Sequence, residues 1–402
     1  MQTRLADTYK DTPLGQTADQ VLRSCVHCGF CNATCPTYRL LGDELDGPRG
    51  RIYQIKQVLE GVAATPGIQQ HLDRCLTCRA CETTCPSGVE YHRLLDIGRE
   101  LVEQQVPRPF LQRNYRRLLQ HTFGNTRRVA LLLFIARLLR PVLPSQLKKR
   151  VPLAGKIRVP AGQAHARTML LLDGCVQPAA SPQINDSAIA VFDRLAISLR
   201  SIPSAGCCGA LHQHLADSAA ARRRARANID AWWPHIQQGA EAIVVTASGC
   251  APTVKDYGHL LADDPEYAER AARVGAMARD ISEVLRGEDL RGLKAKNAGR
   301  IAFHSPCSLQ HAQQLDGVVE TLLCAVGYTL VPVRDAHLCC GSAGTYSILQ
   351  AGLAGQLRTR KLDSLQEKQP ELIATANIGC LLHLQQEADL PVRHWIELLA
   401  SA

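Results

Sequence analysis

Two stretches of the chain repeat one cysteine spacing, and that spacing restricts the fold more than any other feature. CVHCGFCNATCP (Cys25–Pro36) recurs as CLTCRACETTCP (Cys75–Pro86), each reading C-x2-C-x2-C-x3-C-P. Three thiolates two residues apart wrap one face of a cubane, because the loop backbone turns once around it. The fourth, three residues on and followed by proline, takes a new direction and reaches the other cluster of a pair. The spacing predicts two [4Fe–4S] clusters, the first on Cys25, Cys28, Cys31 and Cys85 and the second on Cys75, Cys78, Cys81 and Cys35. Structural zinc sites use two close pairs instead of a triplet plus a single cysteine. Gly29 lets backbone N–H groups approach the sulfides, where they raise the potential. His27 reads as an exposed loop histidine, and Arg49 and Arg51 as ion-pair partners of Asp43, Glu44 or Asp46.

The other nine of the 17 cysteines lie at or beyond Cys175. Cys175 and the Cys207-Cys208-Gly209 triplet recur as Cys307 and Cys339-Cys340-Gly341, with the same interval of 32 residues from Cys175 to Cys207 and from Cys307 to Cys339. A later cysteine closes each set, Cys250 in ASGC and Cys380 in NIGC. This four-point match reads as a duplicated domain. Gly209 and Gly341 predict tight turns beside a bound group. Cys175, Cys207, Cys208 and Cys250, with Cys307, Cys339, Cys340 and Cys380, are candidate ligands of a further iron–sulfur cluster or zinc. Cys324 sits in an apolar helix and reads as core. His304 and His311 flank Cys307, and His212 and His214 follow Cys208; near strand ends, single histidines read as hydrogen-bonded scaffolding.

Secondary structure divides the chain the same way. Arg51–Gly61 and His92–Gln104 have apolar positions at helical spacing. Beyond residue 166, five apolar runs of strand length (Thr168–Leu172, Ala242–Thr246, Arg300–His304, Tyr328–Val333, Leu372–Ala376) alternate with helices at Ala188–Leu195, Leu211–Trp233 and Ile348–Lys361. Alternation of this kind predicts parallel βαβ units. The recurring cysteines follow the strands, at the sheet edge where open α/β folds place their sites.

A long chain with so many cysteines and no apolar segment in Met1–Lys10 does not read as a secreted disulfide scaffold, and no run of 18 apolar residues predicts a membrane span. The expectation is a cytoplasmic protein, peripheral at most on the inner membrane's cytoplasmic face. Its net charge of +9 is concentrated between Gln104 and Leu172, where 14 Lys or Arg residues occur without one acid. Nucleic-acid binding is not expected, because the basic residues lack interleaved aromatics on a folded face. Within the connector, Leu131, Phe134, Ile135 and Leu138 fall on one helical face flanked by Arg127, Arg128 and Arg140, a pattern for a membrane surface or an acidic partner.

Taken together, CVHCGFCNATCPTYRLLGDELDGPRGRIYQIKQVLEG and HLDRCLTCRACETTCPSGVEYHRLLDIGRE resemble the iron–sulfur subunits of bacterial glycolate oxidases. The cysteine layout, which covers the whole chain, is shared with iron–sulfur subunits of anaerobic glycerol-3-phosphate dehydrogenase, lactate-utilisation complexes and heterodisulfide reductase. The resemblance implies a mixed fold: a helical two-cluster ferredoxin-type domain (1–105), a basic connector (106–166) and two α/β cysteine-rich CCG domains (167–290 and 291–402). It further implies electron transfer from FAD-bearing partner subunits, which oxidise glycolate to glyoxylate and D-lactate to pyruvate, towards an acceptor such as quinone. No catalytic residue is assigned to this chain, which lacks a G-x-G-x-x-G or Walker-type loop. The alternatives are the iron–sulfur subunit of a related glycerol-3-phosphate or lactate dehydrogenase, or a thiol–disulfide reductase subunit using the CCG pairs. Here the fifth family cysteine of each repeat is replaced by Ala247 and Asn377, which counts against that chemistry.

Overall fold

The computed structural model describes residues 1–144, 148, 149, 151, 152, 164–295 and 299–402. The first part is helical, and prolines start its helices: Pro13–Ser24, Pro36–Leu41, Pro48–Leu59 and Pro66–Asp73. Proline fixes φ and lacks an N–H that the first turn could not bond in any case. The hydroxyls of Thr12 and Thr65 accept from Gly15 and Ile68 N–H and cap two of these helices. Tyr91–Gln105 crosses Pro48–Leu59 so closely that a Cβ at Gly98 would lie 2.5 Å from Ile55 Cγ1. Leu22, Ile55, Leu59, Leu94 and Leu95 are fully buried between them. This core holds the two cysteine loops side by side: Thr34 Oγ1 accepts from Thr84 Oγ1 at 3.0 Å across the loops.

The second part contains two sheets of identical topology. β1 (Arg167–Leu172), β2 (Ile197–Ser201), β3 (Ile243–Val245) and β4 (Ala278–Asp280) form a parallel sheet of order β2-β1-β3-β4. β5 (Arg300–His304), β6 (Thr329–Leu330), β7 (Leu372–Thr375) and β8 (Val392–His394) form a second, β6-β5-β7-β8. Registers such as Leu170↔Ile243 and Ile301↔Leu372 repeat the central pairing. Each last strand runs into a capping box, Asp280 with Glu283 and His394 with Glu397.

One face of the first sheet shares a core with the second sheet, and its other face has a core of its own. The last helix, Trp395–Ala400, packs on Gln183–Arg194 of the first repeat, and Trp395 is fully buried. His394 Nε2 pairs with the Thr246 carbonyl at 3.1 Å across the repeats.

The connector differs from a free basic arm. Helices Phe110–Phe123 and Thr126–Leu139 follow one another, and Val129 and Leu133 turn inward. Arg108 is buried and paired with Asp73 and Glu103, both at 2.7 Å, and Arg116 reaches Asp73 at 3.5 Å. Arg137 donates to the carbonyls of Pro152 and Ala179. These arginines are structural braces. Arg150, Lys156 and Arg158 lie outside the described residues. Cys324, expected in the core, is exposed: Leu322 and Leu323 face inward and turn it outward.

Candidate metal centres

The two cysteine loops have matching backbone twists. His27 and Gly29 have φ of 60° and 87°, and Thr77 and Arg79, at the corresponding places, have 54° and 61°. A left-handed residue at every second position curls the chain so that successive N–H groups face inward, a concave arrangement suited to anionic sulfur. Thr77 N–H donates to Cys75 Sγ at 3.4 Å, and the Tyr91 hydroxyl lies 3.8 Å from the same sulfur. At Arg79 this conformation is carried by a non-glycine residue, so the bend is imposed by the surrounding loop and not by glycine alone.

One pocket is lined by Cys25, Cys28, Cys31 and Cys85. A second is lined by Cys35, Cys75, Cys78 and Cys81, and Cys81 borders both. The structure therefore places Cys85 beside the three cysteines that open the first loop and Cys35 beside the three that open the second. None of the 17 cysteines forms a disulfide. Burial pushes the Cys31 thiol up to about 11, and burial first and then the neighbouring Cys307 push Cys78 up. Binding a metal must displace those protons. Soft, clustered thiolates with inward N–H donors fit iron–sulfur clusters.

Arg51, expected as an ion-pair partner, has a more specific setting. It is 1% exposed, bonds the His71 carbonyl at 2.7 Å and Thr37 Oγ1 at 3.2 Å, and reaches Asp46 Oδ1 at 3.4 Å. Thr37 Oγ1 lies 3.3 Å from Cys35 Sγ, so this guanidinium is one hydroxyl removed from a candidate ligand. Nothing in the local sequence marks it out. Arg49 pairs with Glu44 at 2.5 Å, as expected, and His27 is exposed.

Each repeat gathers its four cysteines at the carboxyl ends of its strands. In the first, Cys175 meets Cys207, Cys207 meets Cys208, and Cys208 meets Cys250. Hydrogen bonds from Cys175 and then Cys208 hold the Cys207 thiol well below its ordinary value. In the second, Cys307 Sγ lies 3.8 Å from Cys339 Sγ, and Cys340 meets Cys380. Gly209 and Gly341 have φ of 96° and 90°, and a Cβ at Gly341 would lie 2.6 Å from the Ala354 carbonyl oxygen. Ala247 belongs to the shared apolar core. Asn377 joins the repeats, accepting from Gly249 N–H at 3.3 Å and donating to Cys380 Sγ at 3.6 Å.

The second pocket and the second repeat adjoin. Leu76, Cys78, Cys307, Cys339 and Tyr346 pack in one cluster. His311 links the same elements, with Thr83 Oγ1 2.9 Å from one ring nitrogen and the His337 carbonyl 2.8 Å from the other. It is scaffolding, as expected. His304 and His212 are not: neither ring nitrogen of either residue has a hydrogen-bond partner among the described residues.

Comparisons with known proteins agree with this organisation. Residues 21–89 match the 4Fe-4S dicluster domain, and residues 169–255 and 301–385 match the Cysteine-rich domain. The chain is similar to the glycolate oxidase iron–sulfur subunit of Escherichia coli, 52% identical over all of this chain and 99% of that protein. It is also similar to a probable glycolate oxidase iron–sulfur subunit of Bacillus subtilis, at 29% identity over 90% of this chain and 88% of that protein. Lactate utilization protein A of Geobacillus thermodenitrificans is 34% identical over 35% of this chain and 60% of its own.

Proposed function

Because the chain belongs to the family of glycolate oxidase iron–sulfur subunits, we propose that it carries electrons for a complex whose separate flavin subunits oxidise glycolate to glyoxylate, and D-lactate to pyruvate. Four-iron cubanes on the two crossed cysteine sets would supply one-electron transfer. The continuity of the sulfur sites through the molecule carries this reading. Cys28 is exposed, Cys81 borders both pockets, and Cys78 packs with Cys307 and Cys339. In this reading residues 1–105 form the two-cluster unit, 106–166 the connector, and 167–290 and 291–402 the two CCG units, whose cysteines hold further metal. Val26 and Phe30, exposed on the lining of the first pocket, and Tyr53, exposed against His27 of the same lining, form the collar where a redox partner docks. In a complex co-purified with its flavin subunits, Cys78→Ser should leave flavin reduction by glycolate intact and reduce acceptor turnover at least tenfold. Full acceptor turnover in that variant would place the electron path elsewhere.

The connector helices support attachment to an anionic membrane surface on the way to quinone. No described helix is long and apolar enough to cross a membrane. Leu111, Leu131, Phe134 and Leu138 are 60–80% exposed, beside exposed Arg113, Arg117 and Arg127. An exposed apolar patch rimmed by cations fits a lipid interface, each basic residue adding about 1 kcal/mol there. Replacing Leu131, Phe134 and Leu138 with Gln should weaken binding to anionic vesicles at least tenfold, given about 1.5 kcal/mol or more per buried apolar side chain. Wild-type binding should also fall as salt shortens screening to about 3 Å at 1 M. Vesicle binding that ignores both changes rules the surface out.

A further inference from the structure

The duplicated repeats differ at one position that the cysteine count conceals. β1 and β5 occupy the same place in their sheets, and each ends three residues before the first cysteine of its repeat. The last residue is Leu172 in β1 and His304 in β5. Leu172 packs in the apolar core of the first repeat. His304 is 2% exposed, and both ring nitrogens lack a hydrogen-bond partner among the described residues. An imidazole so placed carries a desolvation penalty on two polar atoms that nothing nearby offsets.

The ring lies among sulfurs. A nitrogen of His304, Cys340 Sγ and Cys380 Sγ all fall within 4.8 Å of one another. Donors about 2.0–2.3 Å from one tetrahedral ion lie some 3.3–3.8 Å apart, so a modest contraction closes this triangle on a single metal. The described residues contain no comparable triangle among the first repeat's cysteines, nor among the eight N-terminal ones. Cys340 and Cys380 are 0% and 3% exposed, and the Cys307–Cys339 pair, 3.8 Å apart, adjoins them through Cys339. Buried Lys361, held by the Asp335 and Ala336 carbonyls, lies beside the same sulfurs. Three thiolates and one divalent ion leave one negative charge, which the Lys361 ammonium balances.

The geometry points to a mononuclear zinc site in the second repeat, held by His304, Cys340 and Cys380 with a fourth thiolate from the Cys307–Cys339 pair. It rests on the reading that the CCG cysteines hold metal, and it narrows that reading to one repeat, one ion and an imidazole ligand. The first repeat has Leu172 in place of this histidine, and its own unpartnered imidazole, His212, joins no such triangle among the described residues. Binding replaces each thiol proton with a bond to zinc and releases those protons, and the neutral imidazole donates one ring nitrogen. With no vacant coordination position, zinc here is structural: it locks β5, the Cys339-Cys340 turn and the helix carrying Cys380 beside the second pocket.

The test uses the full-length chain with its iron loaded. Zinc analysis should give one zinc per chain in wild type and in the Cys207→Ser, Cys208→Ser double variant. His304→Leu, which copies the first repeat, should lower zinc at least tenfold, as should Cys340→Ser. Zinc-edge X-ray absorption on the unaltered protein should show three sulfurs and one nitrogen, a readout that needs no variant to fold. A four-sulfur shell, or full zinc in His304→Leu with loss in Cys340→Ser, removes His304 while leaving metal in the repeat. Zinc-free wild type whose iron falls in Cys340→Ser puts iron at the CCG cysteines and overturns the zinc assignment alone. Wild-type metal in every one of these variants overturns the underlying reading as well.

Discussion

Replacing Cys85 with serine should empty the site of Cys25, Cys28 and Cys31 and leave that of Cys75, Cys78 and Cys81 filled, so that bound iron falls from about eight atoms per chain to about four. The reason is geometric. Cys85 belongs to the second loop in sequence but lines the pocket of the first three cysteines, and Cys35 makes the reciprocal crossing. Cys35→Ser should do the reverse. Low-temperature EPR of the reduced protein distinguishes the two sites, because each single variant should remove one spectrum and spare the other. If Cys85→Ser removes the signal that Cys75→Ser removes, ligation follows sequence proximity and the crossed arrangement is wrong. The crossing also makes each loop a partner in the other's site, so losing one fourth ligand loosens both loops less than losing both.

The second large effect is expected at Arg51. Arg51→Met should destabilise the protein by about 3 kcal/mol, the usual cost of removing one partner from a buried ion pair. Asp46, 0% exposed, keeps Arg74 at 2.7 Å and His71 at 3.0 Å, so its charge is not stranded, and the change falls at the lower end of that range. The same substitution should lower the reduction potential of the site at Cys35, Cys75, Cys78 and Cys81. A fixed positive charge favours the more negative, reduced state, and Arg51 lines that pocket. Arg51→Lys should restore part of the potential but not the paired bonds to Thr37. Denaturant unfolding measures the first quantity and redox titration followed by EPR the second. An unchanged potential in a correctly loaded Arg51→Met would reduce Arg51 to a structural tie.

The features legible in the sequence were those written as spacing. The paired cysteine motifs, the repeat interval of 32 residues and the strand ends before Cys175, Cys250, Cys307 and Cys380 are all local patterns, and the observed β1, β3, β5, β6 and β7 fall on the expected runs. The strands β2, β4 and β8 escaped notice for a physical reason. β2 (ISLRS) is half exposed at the sheet edge, and β4 and β8 are three residues long, too short to show a period. The stretch read as one helix, Leu211–Trp233, is broken at Ala216, whose φ of 60° no propensity rule anticipates. The connector's helical face was visible in sequence, but the bracing roles of Arg108, Arg116 and Arg137 depend on partners elsewhere in the chain.

The site was legible as ligands and illegible as surroundings. Cys78 packs with Cys307 and Cys339 across more than 200 residues of sequence, a contact that only tertiary packing creates. Arg51 acts through Thr37, and no motif joins the two. His304 had one available signal: aligning Cys175 with Cys307 sets it against Leu172, an apolar-to-polar change at a buried strand end. Its significance emerges only when both ring nitrogens are found buried and without hydrogen bonds among the described residues.

The central claim is that electrons from glycolate pass through this chain. Freeze-quench EPR on the complex co-purified with its flavin subunits tests it most directly, by mixing with glycolate in the absence of acceptor and sampling during the first turnover. The account predicts that reduced-cluster signals from both N-terminal sites rise with or after flavin reduction, and that the signal assigned by Cys85→Ser is missing in that variant. Flavin that reduces fully and passes electrons to acceptor while both cluster signals stay oxidised would contradict it.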